Sequence, residues 1–250
     1  MAPEPPLLAE GRRLVEEAAA RGLDVRLLGG IAIWARSSNG ARAALGREYP
    51  DIDLAARKRQ SHGLRDLLEE LGYQPERTFN ATHGARRLLY HAPDRSYHVD
   101  VFLDELGMSH DLDLGERLDT EELTLPAAEL LLTKLQVAEL NKKDAADAAM
   151  LLLEHEPSEE DGPGKLNAAR IAALCAADWG LYTTATDNLA KVRDLLPELL
   201  PDEEARQTVT SRIDDLVGRL EKAPKTRGWK LRAKVGRRKR WYEVPEEVTR

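Results

Sequence analysis

Asp51 and Asp53 stand one residue apart in YPDIDLA, after the double glycine Gly29-Gly30 of VRLLGGIAIW and before Asp100 of YHVDVFLD. On a strand, alternate side chains share a face, so the two aspartates project together while Ile52 and Leu54 turn toward a core. Like charges at that spacing repel unless neutralised, and magnesium takes one or two carboxylates together with phosphate oxygens and waters. A Gly-Gly corner entering a helix offers unhindered backbone N–H groups, which suits a polyphosphate. Together these pieces predict a metal-assisted site for a nucleoside triphosphate, with Mg2+ or Mn2+ as the cation. Asp100 as a third carboxylate would allow two metals about 4 Å apart, activating an attacking hydroxyl and stabilising the departing pyrophosphate.

Each piece has a plainer reading. Asp-Ile-Asp also describes a solvated strand edge after the Pro50 turn, and Gly-Gly also describes a tight strand-to-helix corner. The chain lacks the GxxxxGK[ST] pattern of a P-loop and the GxGxxG pattern of a dinucleotide fold, which argues against both classes. Lys134, in LLLTKLQVAEL, lies on a helical stripe that otherwise faces a core, so its ammonium needs a phosphate or a carboxylate unless it snorkels to solvent. Asp144 and Asp147, three residues apart, share a helical face that continues into Leu151. Asn141 as N-cap would put Asp144 at the third helical position, where an acid is favoured for structural reasons alone.

The elements that must position these groups follow from periodicity. A helix is predicted over 7–21, with Leu7, Gly11, Leu14, Val15 and Ala18 on one stripe, then a strand in DVRLL ending at the glycines. A helix from about Ile31 to Arg36 gives way to a loop through SSNGARAALGREYP, with Asn39-Gly40 as its turn signal. Strand IDLAAR precedes a helix over 61–71. ARRLLYH and SYHVDVFL then form an antiparallel hairpin about Pro93-Asp94, which brings Asp100 to the face of Asp51 and Asp53 if the strands are neighbours. From Pro126 the chain is helical. PSEEDGPGK at 157–165 reads as a linker, and 166–221 as helices with turns at Pro197 and Pro201. GWKLRAKVGRRKRWYEVP reads as a short basic β-hairpin about Gly236.

With 250 residues, 42% hydrophobic and 32% charged, the chain has the composition of a soluble globular protein. It has no apolar run of the roughly 20 residues needed to cross a bilayer, and its start lacks a signal-peptide core, so no membrane partner and a cytoplasmic location are expected. The single cysteine, Cys175, excludes an internal disulfide and a cysteine-rich zinc site. Charge is uneven: residues 219–250 carry 12 Lys+Arg against 4 Asp+Glu, leaving 25 against 40 in the rest. A basic, tryptophan-bearing tail on an acidic body suits a nucleic acid, through phosphate pairing and base stacking, or docking on the body itself.

GG, DID and VDVF, followed by a helix with Lys134 and a helix with Asp144 and Asp147, resemble the polymerase-beta-type nucleotidyltransferase superfamily, and within it the AbiEii-like abortive-infection branch, several members of which are toxins of toxin–antitoxin pairs. The resemblance covers about residues 23–155. It implies an α/β (α+β) nucleotidyltransferase fold, a small mixed β-sheet flanked by helices, here followed by a helical C-terminal region. The units would be a core over 1–125, a helical lobe over 126–156, helices over 166–221 and the basic tail over 222–250. It further implies that Gly29 and Gly30 cradle the triphosphate, that Asp51, Asp53 and Asp100 hold metal, that Asp100 is a candidate base, that Lys134 meets phosphate and that Asp144 orients Lys134 or the nucleotide. Ile31 departs from the pattern, since many relatives carry a serine or threonine there, and the segment between Gly30 and Asp51 is long. The activity implied is transfer of a nucleoside monophosphate from an NTP (ATP, GTP or CTP) to the hydroxyl of RNA, tRNA or a small molecule, with an antitoxin as a further partner. The alternative is a nucleotide- or RNA-binding module that retains the fold without turnover.

Overall fold

Apolar residues at two-residue spacing build a sheet, and the same residue types at three- and four-residue spacing build the helices that cover it. The computed structural model describes residues 4–244. The first half runs α1 (Pro6–Ala20), β1 (Val25–Leu28), α2 (Gly29–Ala35), α3 (Asn39–Leu45), β2 (Ile52–Ala56), α4 (Ser61–Glu70), β3 (Gln74–Pro75), α5 (Arg77–His83), β4 (Arg87–His91) and β5 (His98–Leu103). A small hairpin follows, β6 (Glu105–Gly107) and β7 (Asp111–Asp113), then α6 (Ala127–Leu135) and α7 (Lys142–Glu154). The rest comprises β8 (Glu156–Ser158), β9 (Lys165–Asn167), α8 (Ala168–Ala177), α9 (Trp179–Leu199), α10 (Glu203–Lys222) and α11 (Arg227–Val235).

The main sheet has the order β1-β2-β5-β4-β3, and only β2 and β5 run parallel in it. The chain is therefore mixed α/β with a small mixed sheet. Register matters more than order here. Asp53 of β2 faces Leu28 of β1 on one side and Asp100 of β5 on the other. Facing residues on paired strands point to the same side of a sheet, so Asp53 and Asp100 are neighbours on one face, directly beside the point where β1 ends and Gly29 begins α2.

The outer edge of β1 is covered rather than left open: the Leu27 N–H donates to the Leu123 carbonyl at 2.8 Å, and the Leu125 N–H to the Leu27 carbonyl at 3.0 Å. This segment leads through Pro126 into α6, whose residues from Ala127 to Leu132 are all buried. α6 and α7 pack on α2, and α7 on α3, so the helices carrying Lys134 and Asp144 lie against the helix that leaves the glycine corner. A continuous apolar core runs from Leu8 to Leu220. Among the described residues no helix is long and apolar enough to cross a membrane.

Several elements differ from expectation. The 37–50 segment holds α3 because Ser38 caps it, its hydroxyl accepting from the Ala41 N–H, and because Ala41 and Leu45, four apart, both find the core; the Asn39-Gly40 turn signal loses to that burial. In α1 the buried stripe begins at Leu8, with Leu7 only partly covered. At 157–165, β8 and β9 pair in parallel, and Arg117 fastens the intervening loop by a 2.7 Å bond to Asp161. Pro197 removes one backbone bond from the last turn of α9, but Leu196 and Leu200 on either side of it are buried and the helix runs on to Leu199, so the turn comes only at Pro201. The expected basic β-hairpin is a helix: Thr226 caps α11 through the Trp229 N–H at 3.1 Å, and Gly236 stops it at φ +60°. The alternation of Trp229, Leu231, Ala233 and Val235 imitates a strand, but α11 has no sheet edge to join. Residues 245–250 of that tail lie outside the described residues.

The end of α6, just past Lys134, is fixed by one side chain. Asn188 of α9 is 1% exposed, and its amide nitrogen donates to the Leu135 carbonyl at 2.9 Å and the Val137 carbonyl at 2.7 Å. Removing a buried donor that satisfies two carbonyls costs about 1–3 kcal/mol. Asn188→Ala should therefore lower the urea midpoint with an unchanged m-value, whereas wild-type stability would show that water replaces the amide without loss.

Candidate functional site

Gly29 is the corner piece. Its φ is +69°, a conformation that side-chain-bearing residues rarely adopt, and a Cβ built on it would lie 2.0 Å from an Asp53 carboxylate oxygen. Even alanine would thus require both a strained backbone and a displaced carboxylate. The next position is closed on another side: a Cβ on Gly30 would lie 2.6 Å from an Arg47 guanidinium nitrogen and 2.7 Å from the Tyr49 ring. The two glycines are required because Asp53 packs on one of them and Arg47 on the other.

Asp53 is the electrostatically strained member of the group. Burial, then the neighbouring Asp100 charge, push its carboxyl from the ordinary 3.8 up to about 7, with Asp51 adding to the rise and Lys134 and Arg87 opposing it. Asp51, Asp100, Lys134 and Arg87 therefore all act on the Asp53 carboxyl. Asp100 is 9% exposed, and Arg87 grips both of its oxygens, Nε to Oδ1 at 2.7 Å and the second nitrogen to Oδ2. Arg87 reaches it diagonally across the β4–β5 pair, from the residue facing Phe102.

Lys134 comes from the helical side. Its side chain is 12% exposed, and its Nζ donates to Asp144 at 2.9 Å and lies 3.0 Å from an Asp147 oxygen. Burial pulls its pKa down, but the Asp147 and Asp144 carboxylates outweigh that and leave it raised, so the ammonium stays charged. Asp144 makes contacts on both sides: its N–H donates to the Asn141 side chain at 2.9 Å, its Oδ2 accepts from the Asn141 amide at 2.7 Å, and its other oxygen accepts from Lys134. Asp147 is fully buried and holds a second cation, Arg47, through contacts of 3.1 and 2.8 Å.

The residues named from sequence thus fall around one corner. They do not close as a trio of metal ligands: among the described residues no group of three or more His, Cys, Asp or Glu side chains is placed to hold a metal ion. Asp100 faces Arg87 instead. Asp53 is the member of the group on which an added positive charge would act most, since a carboxyl held near pH 7 by burial and like charge gains most when a cation arrives.

Sequence reasoning missed Arg47, Tyr49 and Arg87 and gave Asp147 no task. Arg47 and Tyr49 lay in the segment expected to be a loop. Arg87 had a usable signal: a charged residue on the apolar strand RLLYH, paired through a short turn with the strand that bears Asp100. The aromatic residues of the tail serve a structural purpose, since Trp241 donates from Nε1 to Thr184 at 3.0 Å and meets Trp179 edge-on, centroids 6.0 Å apart. Lys230, Lys234, Arg238 and Lys239 remain exposed.

Because the Asp53 carboxyl is raised on folding, the folded chain holds a proton between about pH 4 and pH 7 that the unfolded chain has lost, and stability falls as pH rises through that window. Asp53→Asn should be nearly neutral at pH 4 and gain on the order of 4 kcal/mol at pH 8 in urea unfolding. An equal effect at both pH values would show that the carboxyl carries no such strain. No protein-family model matches this chain, and no curated protein matches it as a relative.

Proposed function

We propose that this chain is a magnesium-dependent nucleotidyltransferase that moves a nucleoside monophosphate from an NTP to an acceptor hydroxyl, on a polymerase-beta-type fold. The supporting observation is the juxtaposition of Asp53, raised to about 7, with the Gly29 corner, Asp51, Asp100 and the charged Lys134. Such an arrangement is costly for stability alone, because burial and the neighbouring Asp100 charge oppose ionisation of Asp53 unless a further counter-charge is present. Bound Mg2+, held by Asp51 and Asp53, would supply that counter-charge and offset charge developing on the phosphates.

The chain's own groups have separable tasks in this reading. The bare glycines let the backbone at 29–30 approach phosphate oxygens without a side chain between. Lys134, held by Asp144 and Asp147, offers a fixed positive charge to the same oxygens. The acceptor oxygen bonds to the α-phosphorus as the bond to the bridging oxygen breaks, pyrophosphate leaves, and the hydroxyl proton passes to a carboxylate of the cluster. Asp100 takes that proton only when Arg87 yields one of the two oxygens it now holds.

That grip is also the observation favouring a second reading, a nucleotide- or RNA-binding module without turnover. The two separate in one assay with each labelled NTP, magnesium and total RNA. Turnover should release pyrophosphate, with a loss of about 100-fold or more in Asp53→Ala and Lys134→Met. NTP binding without turnover under all conditions would instead establish the module.

RNA is the acceptor class that the exposed basic residues of α11 and the turn after it suit best, with a small-molecule hydroxyl as the competitor. Replacing Lys230, Lys234, Arg238 and Lys239 by glutamine leaves the Trp241 packing in place. RNA binding should weaken and its log–log salt slope should flatten. An unchanged slope would remove the tail from the acceptor site.

A further inference from the structure

We propose that Arg47 is a second cationic contact for the polyphosphate, and that buried Asp147 is the positioning residue that sets Arg47 and Lys134 as two prongs of one clamp beside the glycine corner. This rests on the reading of the site as a nucleoside triphosphate site and adds to it a residue pair from outside the motifs.

Donor accounting carries the inference. A guanidinium has five N–H groups and an ammonium three. Arg47 uses Nε and one terminal nitrogen on Asp147, at 3.1 and 2.8 Å, and the other terminal nitrogen on the Glu48 carbonyl at 2.8 Å. Among the described residues, two of its donors remain without a partner. Lys134 uses two on Asp144 and Asp147, at 2.9 and 3.0 Å, and keeps one. The clamp therefore holds its cations in place and still presents three N–H groups, with Asp147, at 0% side-chain exposure, committed to protein contacts alone.

The placement is equally specific. Nothing larger than glycine at residue 30 leaves room for the Arg47 guanidinium, which also lies over the Tyr49 ring at 4.7 Å from its centroid. The Arg47 side chain keeps 21% of its exposure, so it opens to solvent on the side away from Asp147. Arginine's planar fork can bond Asp147 with one edge and a phosphate oxygen with another, which lysine cannot do. If the Arg47–Asp147 pair only held the loop after α3 to α7, it would contribute to stability and leave anion affinity untouched.

The test is calorimetric titration of the full chain with inorganic tripolyphosphate and with inorganic phosphate, alongside thermal unfolding. Arg47→Met should weaken tripolyphosphate binding tenfold or more and change phosphate binding little, and Arg47→Lys should recover part of the loss. A folded Arg47→Met or Arg47→Lys protein with wild-type tripolyphosphate affinity overturns the clamp, as does wild-type protein that fails to bind tripolyphosphate. Either result, with pyrophosphate release still dependent on Asp53, leaves the nucleotidyltransferase reading intact. Loss of Asp53-dependent turnover together with retained, Arg47-dependent tripolyphosphate binding would overturn that reading and keep the clamp.

Discussion

Asp53 packs against a glycine that has no Cβ to offer, and the site depends on that contact. The left-handed backbone at Gly29 ends β1, begins α2 and places a bare α-carbon where any side chain would overlap the carboxylate. Because β2 pairs with β1 on one side and β5 on the other, the same register that sets Asp53 under the corner sets Asp100 beside it. Two strand pairings and one backbone conformation thus assemble the acidic half of the site.

The cationic half is assembled by helix packing. α6 and α7 bury Leu and Ala faces against α2 and α9, and in doing so place Lys134 between Asp144 and Asp147. A buried ammonium without partners would be costly, and a fully buried Asp147 would be costlier still, so each cation is required by a carboxylate and each carboxylate by a cation. The balance is incomplete, since Asp53 retains its proton to about pH 7. Hydrophobic packing alone would favour replacing such a cluster with leucine, and the ligand proposed above, which brings positive charge together with phosphate oxygens, would give a reason for its presence.

Much of this was legible in the residues. Alternation in IDLAA and HVDVFL located β2 and β5, and Pro93-Asp94 located the turn that pairs β4 with β5. The core-facing stripe around Lys134 announced a buried ammonium with anionic partners. Parallel pairing of β2 with β5 is a long-range contact that no local pattern encodes, so the meeting of Asp53 and Asp100 required the fold. Arg47 was hidden for a different reason: it does lie in a loop, but the helix before it, capped by Ser38 and held by the burial of Ala41 and Leu45, delivers that loop to Asp147, a long-range contact that the Asn39-Gly40 turn signal does not reveal. The tail shows the limit of period-two reasoning, because alternation predicts a strand only where a partner strand exists.

Whether the carboxylates at the glycine corner receive a cation together with phosphate can be decided by crystallising the chain with Mn2+ and a non-hydrolysable nucleoside triphosphate and recording the manganese anomalous signal. The account predicts a manganese peak about 2.1 Å from oxygens of Asp51 and Asp53, with the polyphosphate against residues 29–30. Manganese bound elsewhere, or nucleotide bound away from that corner with Asp53 still protonated, would contradict it.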